Sequence, residues 1–336
     1  MLRIPYSDLY AEMLRVLLGL GFARPRAERG ARLFAEASRD GVASHGLNRF
    51  PRFVEMARSG VVDVQAEPVC VGSRGPMEQW DGCRGAGNLN AYACMERAIA
   101  LARLHGLGCV ALRNTNHWMR GGSYGWQAAE AGMIGLCWTN TMPNLPPWGA
   151  RERRIGNNPL VIAVPRAEGH VVLDMALSQF SYGGLARYRL REEMLPVAGG
   201  FDPEGRLTHD PAAIEQSGRP LPIGYWKGSG LALLLDLTAA LLSGGLATHQ
   251  ISADPHAETA LSQVFIALDP CPFGEVDGRA RLIDDVIAYV HDAAPAHDGD
   301  RIYYPGERTL LTRKANLERG IPVAPAVWHQ VQAYDG

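Results

Sequence analysis

The hydrophobic pattern of this chain changes period along its length, and the order of those changes limits the fold. Up to about residue 60, apolar residues recur at helical spacing. Leu9, Met13, Val16 and Leu17 mark one amphipathic helix, with Ser7 placed to cap it. Leu33, Phe34 and Ala37 mark the inner side of a second, over Pro25 to Arg39, with Gly41 as its stop. A third runs from the turn at Ser44–Arg49 to Arg58. Short β-rich runs follow at Val69–Val71, Met77–Trp80, Gly108–Leu112, Met133–Trp138, Pro159–Val164, Val171–Met175 and Gln263–Leu268. Helical stretches at Asn88–His105 and Ser123–Ala131 lie between them. The segment Gly228–Leu242 is apolar almost all round, which predicts a deeply buried helix. Helices return at Ala280–His291, at Thr309–Arg319 and from Pro325. The expectation is an α/β protein in which a helical layer from both termini packs on a mixed-sheet domain. Residues 1–72 plus 307–336 form the first unit and 73–306 the second. Pro143–Gly149 is expected to be an ordered loop, and Pro203–Arg219 and Ala293–Asp300 exposed ones.

Charge and composition exclude several classes. The 33 basic and 35 acidic residues give a net charge of −2, with no long run of one sign. A nucleic-acid partner is therefore not expected, since such binders carry a basic face. The longest apolar stretch, Leu231–Leu242, is broken by Asp236 and Thr238 and is shorter than the roughly 20 residues of a membrane span. The N-terminus lacks the apolar core of a signal peptide, so no membrane association and a cytoplasmic location are expected. Six cysteines (Cys70, Cys83, Cys94, Cys109, Cys137 and Cys271) contain no C-x-x-C pair and read as small buried hydrophobes. There is no H-E-x-x-H, and His291 and His297 flank a loop without a third ligand, so no metal site is expected.

The motifs are less conventional. The dinucleotide fingerprint G-x-G-x-x-G is missing: Gly106 and Gly108 are followed by Ala111, and Gly228 and Gly230 by Leu233, where a third glycine belongs. Lys227-Gly228-Ser229-Gly230 nevertheless opens a helix. Free N–H groups and a lysine there suit a phosphate, although a glycine-rich start that packs closely on a neighbour has the same sequence. Ser44-His45-Gly46 with Arg49 offers a proton source and a two-pronged carboxylate anchor. The plainer reading is a helix cap, a turn histidine and a solvated arginine. His117, after a strand, either binds substrate or packs beside Trp118. Gly121-Gly122-Ser123-Tyr124-Gly125 matches the hydrolase elbow, but the polar loop before it replaces the strand that motif needs, and Ser123 is expected to cap the next helix.

Longer runs carry a resemblance. They are Gly41 to Phe53, Asn116 to Gln127, Pro146 to Ala150, Asn157 to Leu160, Asp174-Met175 and Gly224 to Gly230. Over nearly its whole length the chain resembles the malate/L-lactate dehydrogenase family, which lacks a Rossmann fold. That resemblance implies a sulfolactate/malate dehydrogenase-like fold and a homodimer. It implies reduction of a small 2-keto acid, with His45 as proton donor and Arg49, His117 and Ser44 orienting the carboxylate and keto oxygen. It implies NADH, in preference to NADPH, along His170, Val171, Val172, Leu173, Asp174, Met175 and Ala176, against Trp226 and Lys227 and against Gly306, Glu307 and Arg308. The His117-to-Gly122 run points to the branch acting on 2,3-diketo-L-gulonate; malate, lactate, ureidoglycolate or a cyclic imino acid are the sibling substrates.

Overall fold

The computed structural model describes residues 2–254, 256, 258–271 and 276–335, with the side chains of all of these except Val276 and Asp277. Among the described residues the elements run as follows. Strand β1 (Leu2–Ile4) precedes helices α1 (Tyr6–Gly19), α2 (Arg24–Arg39) and α3 (Phe50–Arg58), the last two separated by a 3-10 turn at Ala43–His45. Strands β2 (Val69–Arg74) and β3 (Met77–Asp81) lead to α4 (Gly87–His105), β4 (Leu107–Thr115), α5 (Gly122–Glu130), β5 (Ile134–Thr139), β6 (Leu160–Val164) and β7 (Val171–Met175). Then come α6 (Tyr182–Leu190), β8 (Gly200–Phe201), β9 (Leu207–Thr208), α7 (Pro211–Ser217), α8 (Trp226–Ser243) and β10 (Leu261–Leu268). Helices α9 (Val276–His291) and α10 (Glu307–Arg319), strand β11 (Ile321–Val323) and helix α11 (Pro325–Gln332) close the chain.

A seven-stranded sheet orders its strands β2-β3-β4-β10-β5-β6-β7. Only β3 and β4 pair in parallel, joined by α4 as a crossover; every other pair is antiparallel. Side chains alternate between its two faces. Val110 and Leu112 of β4 pack with Ala91, Met95 and Ala98 of α4, while their neighbours Cys109 and Ala111 pack with Ala232, Leu235 and Ala239 of α8. Both faces are thus covered. A third core joins α1, α2 and α3 to the C-terminal Ile321, Val323, Trp328 and Val331, and it reaches Leu89 of α4 and Met119. The sheet and the helical layer therefore meet beside the loop that carries His117.

Several expectations are corrected. The helix α8 is not deeply buried. Ala232, Leu235 and Ala239 face the sheet, but Leu231, Leu233, Leu234, Leu237 and Leu241 are exposed, Leu241 at 77%. A helix lying on a sheet covers one side of itself, whatever residues stand on the other. Ser7 lies inside α1 and its hydroxyl donates to Asp8; Pro5 occupies the cap position. Ser123 lies one residue inside α5, whose first N–H, that of Gly122, meets a carboxylate from β7 instead. Residues 203–219 hold β9 and α7 rather than an open loop, because Pro211 and Ile214 are buried and Ile214 packs with Leu185 and Leu195. Of the cysteines, Cys94, Cys109 and Cys137 are buried, but Cys83 is half-buried and Cys70 and Cys271 are exposed; all six are free. No described helix is long and apolar enough to cross a membrane.

Candidate active site

Helix α2 ends at Arg39, and Gly41 turns the chain with φ +85° into the 3-10 turn that ends on His45. Gly46 then lies tight against α2. A Cβ on it would stand 2.2 Å from Ser38 Oγ and 2.7 Å from Ser38 N, so no other residue fits without displacing the turn. Ser38 Oγ accepts the Leu47 N–H at 2.8 Å and fixes the turn further. The Ser44 hydroxyl lies 3.0 Å from His45 Nδ1. The His45 ring stacks on that of His117, with centroids 5.7 Å apart and planes 19° from parallel.

His117 comes from the loop after β4. Its Nδ1 accepts the Met119 N–H at 2.9 Å, which leaves the proton of the neutral ring on Nε2. Trp118, fully buried between Tyr124 and Phe265, and Asn116, donating to the Arg84 and Gly85 carbonyls, pin this loop. Burial, with Arg49, His45 and Arg52 nearby, pushes the His117 pKa well below its usual value. His45 keeps part of its surface open to solvent, yet burial pulls its pKa down to about 4. Asp174 opposes that fall; Arg49 and Arg120 reinforce it.

Arg49 stands at the cap of α3. Its Nη2 lies 3.5 Å from Glu258 Oε2, and Arg52 Nη2 lies 4.0 Å from the same atom. Burial, with Arg52 beside it, brings the Arg49 pKa down to about 10. One buried carboxylate facing two guanidiniums leaves an excess positive charge next to the two histidines, which suits an anionic ligand. Nothing in the spacing of the sequence pointed to Glu258, Arg52 or Arg120. Their partners lie in distant segments, and such pairs leave no local pattern.

The structure also draws together the three segments expected to meet a cofactor. β7 is the edge strand of the sheet. At its start, Val172 N–H donates to the Pro305 carbonyl at 2.8 Å. Gly306 follows with φ +97°, and a Cβ there would lie 3.1 Å from both His170 O and Val172 N. Just past its other end, Ile223 N–H donates to Leu177 O at 2.9 Å, which sets the start of α8, with Trp226 and Lys227 exposed, beside the strand. Asp174 Oδ2 accepts the Gly122 N–H at 2.8 Å, so the end of β7 is held at the N-terminus of α5. Glu307 is internally engaged: it accepts from His291 Nε2 at 2.8 Å, Arg301 Nη2 at 2.9 Å and Tyr304 N at 3.2 Å. Arg308 is exposed over the Tyr303 ring. Among the described residues no group of three or more histidine, cysteine or acidic side chains is placed to hold a metal.

Comparisons agree with this architecture. The profile of the malate/L-lactate dehydrogenase family matches residues 4–332. The chain is 46% identical over 332 residues, 99% of its length and 100% of the relative's, to 2,3-diketo-L-gulonate reductase from Escherichia coli O6:K15:H31 (strain 536 / UPEC). Among solved structures, sulfolactate dehydrogenase from Methanocaldococcus jannaschii superposes with a TM-score of 0.91 at 28% identity, covering 98% of this chain and 95% of that one. The delta1-piperideine-2-carboxylate reductase from Pseudomonas syringae pvar. tomato does so with a TM-score of 0.86 at 29% identity, covering 99% of each. With its sequence matched almost end to end and its sheet, helical layer and His45 turn assembled as described, the chain belongs to the malate/L-lactate dehydrogenase family.

Proposed function

We propose that the protein reduces 2,3-diketo-L-gulonate to 3-keto-L-gulonate with NADH, in the cytoplasm and as a homodimer. The observation that carries the reading is the convergence of Ser44, His45, Arg49 and His117 from two separate segments, in a chain 46% identical along its whole length to a reductase of that substrate. A malate, lactate, ureidoglycolate or cyclic imino acid reductase would use the same groups and is the alternative.

The residues fit their roles. Arg49 has a geometry that grips a carboxylate through two N–H bonds. His117, held as the Nε2–H tautomer by Met119, donates to the keto oxygen. Ser44 at Nδ1 steadies the His45 ring, which hands its proton to the forming alkoxide. In the free protein His45 is neutral at pH 7, since burial holds its pKa near 4. A substrate carboxylate seated at Arg49 offsets the neighbouring cations and favours the imidazolium, so the proton arrives with the anion.

A nicotinamide cofactor suits the groove made by the edge strand β7, the Gly306 turn and the start of α8. Gly306 lets its turn lie directly against the β7 backbone, and the N-termini of α8 and α10, with Lys227, favour phosphates. Bound there, the cofactor would supply the hydride for reduction of the keto carbon. His170 to Ala176, Trp226, Lys227, Gly306 and Arg308 are the residues that would hold it, while the Glu307 carboxylate, taken up by His291, Arg301 and Tyr304, fixes the turn. The preference for NADH over NADPH follows the family resemblance alone, since Asp174, bonded to the Gly122 N–H and bearing on His45, stands at the reacting end and not at an adenine ribose. The homodimer is supported by the exposed leucines of α8 and by exposed Leu282, Val286 and Tyr289 of α9, since clustered exposed apolar side chains mark association sites.

The test is the loss of reduced-cofactor absorbance with purified protein. It is run with 2,3-diketo-L-gulonate, pyruvate and oxaloacetate, and with NADH beside NADPH. Oxidation of NADH with the diketo acid alone is the expected result. Activity with another keto acid only would move the protein to a sibling reaction, and a preference for NADPH would overturn the cofactor choice.

A further inference from the structure

Asp40 sits directly after α2 and leads into the His45 turn, and it is only 4% exposed. Three arginines from three elements converge on its carboxylate. Arg39 Nε of α2 lies 2.8 Å away, Arg120 Nη1 of the His117 loop 2.6 Å, and Arg313 of α10 donates from Nε at 2.8 Å and Nη2 at 2.7 Å. Two more contacts tie the same pieces. Asn316 Nδ2 of α10 donates to Arg39 O at 2.7 Å, and a Cβ on Gly41 would stand 2.9 Å from Thr312 Cγ2. Helix α10 begins at the Gly306–Arg308 turn. One buried anion therefore joins the His45 turn, the His117 loop and the cofactor turn. Buried ion clusters add little net stability, because desolvation offsets their attraction, but they fix geometry and sign of charge.

We propose that Asp40 is a positioning residue for the reduction. Through Arg120 and Arg313 it sets the His45 turn against the His117 loop and the Gly306–Arg308 turn, and it keeps Arg120 a compensated cation beside His45. The proposal rests on His45 as the proton donor. The charged groups that bear on His45 are Arg49 next to its own turn, Arg120 from the loop after β4 and Asp174 from β7, with neutral His117 stacked on it. Removing the charge of Asp40 leaves Arg120 bare and opposes protonation of His45. Removing the charge of Arg120 favours protonation. The two substitutions act on one histidine in opposite directions, which a merely structural role does not produce.

The experiment follows the histidine resonances of the free full-length protein by NMR across pH, with the His45 signal assigned by its absence in His45→Ala. The kcat and KM for the keto acid and the cofactor Kd are measured alongside. In Arg120→Gln the His45 midpoint rises, and in Asp40→Asn it falls, each by about half a pH unit or more. Asp40→Asn also lowers kcat by about tenfold or more, the scale at which misplaced catalytic groups act. Arg313→Gln, whose side chain bridges both oxygens of Asp40 but is not among the charges that bear on His45, leaves the midpoint in place and weakens cofactor binding several-fold. Midpoints that stay fixed in both charge variants, or that move together, overturn the proposal while leaving His45 as donor. If Asp40→Asn does not fold, the Arg120→Gln shift and the Arg313→Gln cofactor effect decide, and loss of either overturns it. Full turnover in His45→Ala removes the donor reading, and this proposal with it.

Discussion

As the proposed donor, His45 answers two opposed demands, to be buried enough for chemistry and to carry a proton. Burial draws its pKa down to about 4, against an ordinary value of 6.5. The protonated fraction of the free protein therefore falls with rising pH, and kcat/KM for keto-acid reduction rises as pH drops from neutral toward about 4. Stability runs the other way. The unfolded chain takes up a proton on this residue near pH 6.5 and the folded one only near 4, so folding loses stability as pH falls through that window. Rates and thermal unfolding recorded together over this range should show activity climbing until unfolding cuts it off; a flat kcat/KM would remove His45 from the rate-limiting proton step. His45→Ala should lower kcat by about 10²–10⁴ and leave cofactor binding unchanged. Ser44, His45 and Arg49 were legible because they stand together in one turn. Asp40, Arg120 and Glu258 were not, because their meaning lies in ion pairs between segments far apart in the chain.

The elements around the site are held by glycines and borrowed caps. Gly306→Ala places a side chain at φ +97°, a left-handed conformation costing about 1–2 kcal/mol, and presses it on the backbone of His170 and Val172. Reduced-cofactor affinity should fall about tenfold, as read by fluorescence titration, with kcat at saturation little changed; unaltered affinity would take this turn out of the cofactor groove. Periodicity located the seven strands of the main sheet and most helices, since Val110 and Leu112 against Cys109 and Ala111 express a period of two, but not the short strands β1, β8, β9 and β11. It located caps poorly. The N-terminus of α5 is met by Asp174 from β7, and no local rule at Ser123 anticipates a carboxylate arriving from another strand. An apolar circumference on α8 likewise could not distinguish a buried helix from one that leaves a face uncovered, and the structure shows the second.

At the scale of the molecule, that uncovered face is the contact proposed for the homodimer. Leu234, Leu237 and Leu241 recur along one side of α8, and Leu282, Val286 and Tyr289 along one side of α9. Placing glutamates at Leu237 and Leu241 together should halve the mass measured by light scattering after gel filtration, because two charges cannot be buried unpaired in an apolar contact. An unchanged mass would exclude this face as the dimer contact. The pairing of β1 with β11, Leu2 with Val323 and Ile4 with Ile321, has a different consequence. Strand β1 has no partner until the ribosome has delivered residues 321–323. During synthesis the amphipathic helices behind it wait with their apolar sides open, while the β4–β10 pairing is likewise deferred to residue 261. Such late closure is the signature of a slow-folding topology, in which apolar surface stays open to aggregation until the distant strands arrive.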